Sequence, residues 1–354
     1  MRITRRDFLR YCTIAAGALG LTATDLLKME KAMALPGGTK VLWLNGQACT
    51  GCTVSLANSS YYGTLQDLTL GNPLLTGAGS TLDITFIETL SGVTGDQIAA
   101  QLPTASSGNF VLCVEGAIPI GESGTFCEIG ENWGPDLPGA VTMQAAVHHF
   151  ATMGNCVAVL PIGTCASFGG IPGGFPNPTS AKGVLDLFKT TYSSEYKLVR
   201  KKTINIPGCP PNPNWIVGTI AYLIASGIPN VDALRRPRTY YGERICNNCD
   251  RFGKVFISNS YPNLIGAPNG YNCTAPQNQW KTDEPTGVQQ YRSLCLKKVG
   301  CKGSRTKSDC SLRKWHSPGK LAAGVNWCVG AGAPCQGCTQ DKFPDGMSPF
   351  YYIR

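Results

Sequence analysis

Cysteine is the residue type in this chain that could do chemistry, because 17 of the 354 residues are cysteines. Six of them stand in two stretches near the C-terminus, SLCLKKVGCKGSRTKSDC (Cys295, Cys301, Cys310) and NWCVGAGAPCQGC (Cys328, Cys335, Cys338). Upstream lie Cys49 and Cys52 in CTGC, Cys165 in GTC, Cys209 in GCPPNP, and Cys246 and Cys249 in CNNC. Thiolates at such spacings form disulfides, bind zinc or hold an iron–sulfur cluster. A chain this long, 43% apolar, buries its own core and has little need of disulfide staples. Zinc ribbons use compact paired knuckles, whereas the gaps from 249 to 295 and from 310 to 328 are irregular. Electron-carrying clusters are the reading these residues favour, with zinc sites and disulfides as the alternatives.

The elements that must position these residues differ between the two halves. From 35 to 238 the sequence alternates between α and β patterns. The runs 40–45, 82–90, 109–116, 156–163 and 201–208 are rich in Val, Ile and Leu and read as buried strands. The segment 214–227 reads as a helix ending on a glycine. The sum is α/β: a flavodoxin-like, doubly wound parallel sheet, which binds ligands beyond the carboxyl ends of its strands. Cys49 and Cys52 follow the first strand, Cys165 the fourth and Cys209 the fifth, so three loops would deliver four thiolates to one place. Two structural disulfides there would leave the glycines and prolines around them unexplained.

From 239 to 354 the sequence is irregular, basic and dense in cysteine: 15 Lys and Arg against 7 Asp and Glu, compared with 10 against 12 over 35–238. Eight cysteines suffice for two further four-cysteine sites. The basic excess suits a shell that offsets negatively charged clusters better than a solvated face or a nucleic-acid patch.

Residues 1–34 read as an export leader. Arg5 and Arg6 precede the apolar run YCTIAAGALGL, and AMA ending at Ala34 has the small-x-small form of a cleavage site. The run is short for a membrane span, and Asp25 interrupts its extension. Paired arginines resemble the twin-arginine signal, which exports proteins already folded. The expected location is the periplasm or the outer face of the cytoplasmic membrane.

Taken in order, CTGC, EGAIP, IGTCASFGG, PNPTSA, INIPGCPPNP, CLKKVGCKG, NW, PCQGC and SPFY resemble the small subunit of periplasmic or membrane-associated nickel–iron hydrogenases over nearly the whole chain. The resemblance implies a flavodoxin-like domain followed by a smaller cluster domain. It also implies three iron–sulfur clusters that conduct electrons between the nickel–iron centre of an obligate large subunit and an external acceptor, such as a cytochrome or a membrane subunit. It places the proximal cluster on Cys49, Cys52, Cys165 and Cys209, the distal cluster on Cys246, Cys249, Cys295 and Cys301, and the medial cluster on Cys310, Cys335 and Cys338.

Two positions depart from the family pattern. Cys246 stands where histidine is usual, and Cys328 where proline is common, so Cys328 would complete a medial 4Fe–4S site in place of a 3Fe–4S one. Three all-cysteine 4Fe–4S clusters would form a wire of lower potential, since added thiolate charge favours the oxidised state; with Cys328 pointing away, the medial cluster would keep three irons. The extra cysteines of oxygen-tolerant members correspond to Gly51 and Gly170 here. Cys113 and Cys156 fall in predicted strands and read as small buried apolar residues, and Cys127 and Cys273 fall in loops. His148, His149 and His316 read as packing or surface residues, and Glu115 has no derivable role. Two other classes stay in view: a free-standing polyferredoxin-like carrier, active alone, and an exported disulfide-rich structural protein, free of iron.

Overall fold

The computed structural model describes residues 39–60, 65, 82–87, 89, 96–252, 295–318 and 322–351. Residues 1–34, with Arg5, Arg6 and Cys12, and also Cys273, lie outside the described residues. The described residues fall into two compact units that change over between Thr239 and Tyr240.

The first unit is built on a parallel sheet. Strands β1 (Thr39–Asn45), β2 (Leu82–Ile87), β3 (Phe110–Glu115) and β6 (Cys156–Ile162) lie in the order β2-β1-β3-β6. Isolated parallel bridges from Val159 to Thr203 and from Ile162 to Ile206 add a fifth extended segment beside β6. Counting the parallel segments in chain order gives 2-1-3-4-5, the flavodoxin-like arrangement. The helices up to residue 226 are, in chain order, α1 (Gly51–Ala57), α2 (Asp96–Ala105), α3 (Met143–Thr152), α4 (Gly163–Phe168), α5 (Val184–Thr190), α6 (Tyr196–Lys202) and α7 (Pro213–Ser226).

Near-continuous apolar runs form these strands because both faces are covered. Leu42, Leu44, Leu112 and Val114 enter a core with Met143, Ala146, Val147 and Phe150 of helix α3. Val41, Trp43, Val111 and Cys113, on the opposite face, are equally buried. Each fully buried aliphatic side chain contributes about 1.5–3 kcal/mol.

Three details differ from the sequence expectation. Residues 201 and 202, read as the start of a strand, close helix α6. Arg200, Lys201 and Lys202 occupy its last turn, where positive charge complements the helix dipole. The extended stretch is therefore only Thr203–Ile206. A small antiparallel pair, β4 (Glu128–Glu131) and β5 (Ala140–Thr142), was not legible. The second strand also ends at Ile87, short of the expected 90. The expected helix is α7. Asn212 caps its start through Asn214 N–H, and Gly227 ends it at φ +79° with its N–H bonded to the Leu223 carbonyl.

Cys113 and Cys156 are buried within β3 and β6, as expected of small apolar residues. His148 lies on α3 and stacks on Tyr192 with ring centroids 3.8 Å apart.

The described residues of the second unit are mostly loops and single turns. They form short turns at Ile245–Asn248, Leu296–Val299, Cys310–Arg313 and Asp345–Met347, and a small core of Ile245, Leu296, Trp327, Val329 and Cys335 with Cys249, Val299, Cys301, Cys310 and Trp315 packed against it. Among the described residues, no helix is long and apolar enough to cross a membrane.

Candidate metal centres

Sheet register brings the first four cysteines to one edge. Asn45, Glu115 and Ile162 are Cα partners across β1, β3 and β6, and Ile206 bridges Ile162 beyond them. The chain leaves each cysteine-bearing segment at this line, so CTGC, GTC and GCPPNP start level with one another.

Hydrogen bonds tie these loops together. Gly163 N–H donates to the Ile206 carbonyl and Thr164 N–H to the Gly208 carbonyl, both at 2.9 Å, while Gly208 N–H donates to Thr164 Oγ1 at 2.9 Å. Ser55 Oγ donates to the Pro211 carbonyl at 2.6 Å, joining helix α1 to the Cys209 loop. Gly163 has φ +87°, and a Cβ there would stand 2.6 Å from Cys52 Sγ. Only glycine lets the Cys165 loop approach this sulfur so closely.

Helix α1 has no capping side chain of its own, and Thr50 before it is left-handed. Its free N–H groups are met from across the sheet by Glu115, which is 1% exposed. The Glu115 carboxylate accepts from Cys52 N–H at 3.0 Å, from Thr53 N–H at 3.1 Å, from Thr53 Oγ1 at 2.5 Å and from Trp43 Nε1–H at 3.1 Å. A buried anion at the start of a helix is favoured by the unpaired amides there. The role of Glu115 is thus to fix the turn that carries Cys52. Sequence reading missed it, since the two residues lie 63 positions apart.

Electrostatics place the four thiols within one field. Burial, then Glu115, then Cys165, Cys49 and Cys209 push the Cys52 thiol well above its ordinary value. Burial pushes Cys165 up to about 11, with Cys209 and Cys49 adding to it.

The second unit holds two more groups. Burial, Cys301, Cys295 and Cys249 together raise Cys246 to about 11, opposed by Lys297. Burial raises Cys301, to which Cys295 and Cys249 add. Ile245 N–H donates to the Thr306 carbonyl at 2.9 Å, which pins the CNNC turn beside the Cys301 loop. Burial, then Cys338 and, more weakly, Cys335 raise Cys310. Ser308 Oγ donates to Cys310 Sγ at 3.1 Å. Cys328 differs: the residue is exposed and no other cysteine acts on it, although Trp327 and Val329 on either side are buried against Cys335 and Cys310.

These residues fit a polynuclear cluster. Among the described residues, no three His, Cys, Asp or Glu side chains close on a single metal ion; the thiols act on one another as looser groups, with Gly163 and Gly303 packed close to sulfur and Cys335 N–H donating to Cys301 Sγ. A thiol raised by burial gives up its proton on binding metal, so loading releases protons.

Two family descriptions match the chain: "NADH ubiquinone oxidoreductase, 20 Kd subunit" over residues 49–223, and the C-terminal region of the "NiFe/NiFeSe hydrogenase small subunit" over 241–351. The periplasmic [NiFeSe] hydrogenase small subunit of Desulfomicrobium baculatum is 30% identical over 367 residues, covering 99% of each chain. The periplasmic [NiFe] hydrogenase small subunit of Solidesulfovibrio fructosivorans is 30% identical over 99% of this chain and 93% of its own. Among solved structures, the H2-activated [NiFeSe]-hydrogenase of Dm. baculatum superposes with a TM-score of 0.68 at 31% identity, covering 90% of this chain and 99% of that one. The actinobacterial-type NiFe-hydrogenase of Ralstonia eutropha H16 gives 0.65 at 28% identity, covering 91% and 84%. With matches of this length on both units, the chain belongs to the NiFe/NiFeSe hydrogenase small-subunit family.

Proposed function

We propose that this chain is the electron-conducting subunit of a hydrogenase whose nickel–iron centre lies in a separate large subunit. The observation that carries this reading is the meeting of Cys49, Cys52, Cys165 and Cys209 at one sheet edge, level with Glu115. Cys49, Cys52, Cys165 and Cys209 would hold the proximal cluster, and Cys246, Cys249, Cys295 and Cys301 the distal one. Cys310, Cys335 and Cys338 would hold the medial cluster, with Cys328 turning inward from its anchored backbone as the fourth thiolate. When bound, each cluster supplies a site that takes up and releases one electron at a time. The protein's own part is to fix the thiolates, exclude water and set the surrounding charge.

An obligate partner follows from exposure at the proximal edge. Cys49 and Cys209 are exposed, and Phe175 and Ile171, near Cys165 in sequence, are 91% and 59% exposed. Apolar surface of this kind beside a cluster suits a large permanent interface. The leader suits export in the folded state, after cluster insertion, by the twin-arginine route. The electron acceptor would be a cytochrome or other redox protein, on the membrane or free.

Coproduction tests the reading. This chain made together with a NiFe large subunit should reduce a viologen dye with hydrogen, and neither chain alone should do so. A cluster-replete, well-behaved monomer active by itself would instead support the polyferredoxin-like carrier.

A further inference from the structure

Ser308 stands just before Asp309 and Cys310 in the chain and is 3% exposed. A hydroxyl buried to this degree needs a bonding partner. The partner it has is a sulfur, since Ser308 Oγ donates to Cys310 Sγ at 3.1 Å.

Backbone bonds aim the side chain there. Ile245 N–H donates to the Thr306 carbonyl at 2.9 Å, Lys307 forms an antiparallel bridge with Arg244, and the Lys307 carbonyl accepts from Thr339 Oγ1 at 3.0 Å. These bonds hold 306–308 extended, and alternate residues of an extended stretch share a face. Thr306 and Ser308 are the alternate pair, both buried, and each meets a sulfur: Thr306 Oγ1 lies 3.7 Å from Cys335 Sγ, as Ser308 Oγ lies near Cys310 Sγ.

The two hydroxyls are not equivalent. Thr306 Oγ1 donates to the Lys302 carbonyl at 2.8 Å, and a hydroxyl has one proton to give. Thr306 spends its proton on the backbone, whereas Ser308 directs its proton at sulfur.

A neutral thiol is a weak acceptor, so this bond contributes little in the metal-free chain. A thiolate is a strong one, and a bond to an ionised acceptor is roughly twice as strong as a neutral one. An electron added to a cluster increases the charge on its sulfurs, so the bond favours the reduced state over the oxidised one. The proton stays on Ser308 Oγ throughout.

We propose that Ser308 is a positioning residue for electron transfer, whose hydroxyl steadies the Cys310 thiolate and raises the reduction potential of the medial cluster. The proposal rests on the assignment of Cys310 as a medial ligand. Cys310→Ala tests that assignment separately, because it should abolish or alter the medial signal whatever Ser308 does.

The test is a potentiometric titration, followed by electron paramagnetic resonance, of the intact two-subunit enzyme carrying Ser308→Ala or Ser308→Thr. Alanine removes the hydroxyl and threonine keeps it. The medial midpoint should move to lower potential in Ser308→Ala and stay near the unaltered value in Ser308→Thr, with the proximal and distal midpoints unmoved in both. Electron–nuclear double resonance after exchange into D2O gives a second reading: an exchangeable proton coupled to the medial cluster of the unaltered enzyme should be missing from Ser308→Ala. If Ser308→Ala fails to load the medial site while Ser308→Thr loads it, the donor is needed to hold the thiolate and the proposal stands. An unmoved medial midpoint in a fully loaded Ser308→Ala enzyme overturns it. So does an equal shift or equal loss of iron in both variants, which would assign Ser308 to packing alone.

Discussion

Cys165→Ala should lower hydrogen-dependent dye reduction by more than about 100-fold, beyond the 10- to 100-fold losses usual for groups that only support a metal ligand. Cys165 lies on the short helix α4 after β6, and its thiol shares one field with Cys49 and Cys209. Alanine leaves the Gly163 and Thr164 backbone bonds to the Ile206 and Gly208 carbonyls in place. The loop should keep its course while the proposed cluster would lose one of four anchors. Circular dichroism close to that of the unaltered protein, with about four fewer iron atoms per chain, would mark the loss as chemical. Retained activity at full iron content would remove Cys165 from the site.

Glu115→Ala should destabilise the first unit by about 3–5 kcal/mol, since several buried donors lose their acceptor at about 1–3 kcal/mol each. Trp43 Nε1, the amides of Cys52 and Thr53, and the Thr53 hydroxyl all converge on this one carboxylate. Glu115→Gln should cost less, because one amide oxygen still accepts while the new NH2 faces donors. Thermal unfolding of the two variants should rank them in that order. A second readout has a definite sign. Glu115 helps hold the Cys52 thiol up, so in iron-free Glu115→Gln the thiol should ionise, and alkylate, at lower pH than in the unaltered iron-free protein. Equal stability of both variants, with an unmoved alkylation profile, would deny Glu115 its capping role.

These two residues also mark how far the sequence could be read. Cys165 was legible because apolar runs identify strands, strand ends identify loops, and a parallel sheet gathers its loops on one edge. Helix α7 was legible from its apolar pattern and its terminal glycine. Glu115 was not, because pattern gives burial and direction but not which atoms meet across the sheet from 63 positions away. The boundary at 201–202 failed because basic residues suited to a helix end were read as the start of an apolar run.

The second unit was less legible still, since no long periodic element organises its described residues and cysteine spacing alone left several groupings open. The division into two groups came from the resemblance, and the surroundings of Cys246 (Cys301, Cys295 and Cys249) and of Cys310 (Cys338 and Cys335) run along the same lines. Cys328, exposed beside buried neighbours, is the residue on which sequence expectation and surroundings differ most.

The central claim, that this chain is a wire of three four-iron clusters, is tested most directly by iron and acid-labile sulfide analysis of the purified small subunit in its complex, read with an oxidised-state electron paramagnetic resonance spectrum. The account predicts about 13 iron per two-subunit complex, about 12 in the clusters and one at the nickel–iron centre of the large subunit, with about 12 sulfide and no strong 3Fe–4S signal. A strong 3Fe–4S signal with about 12 iron per complex would contradict the fourth-ligand assignment of Cys328, and colourless, iron-free protein with its cysteines in disulfides would contradict the account as a whole.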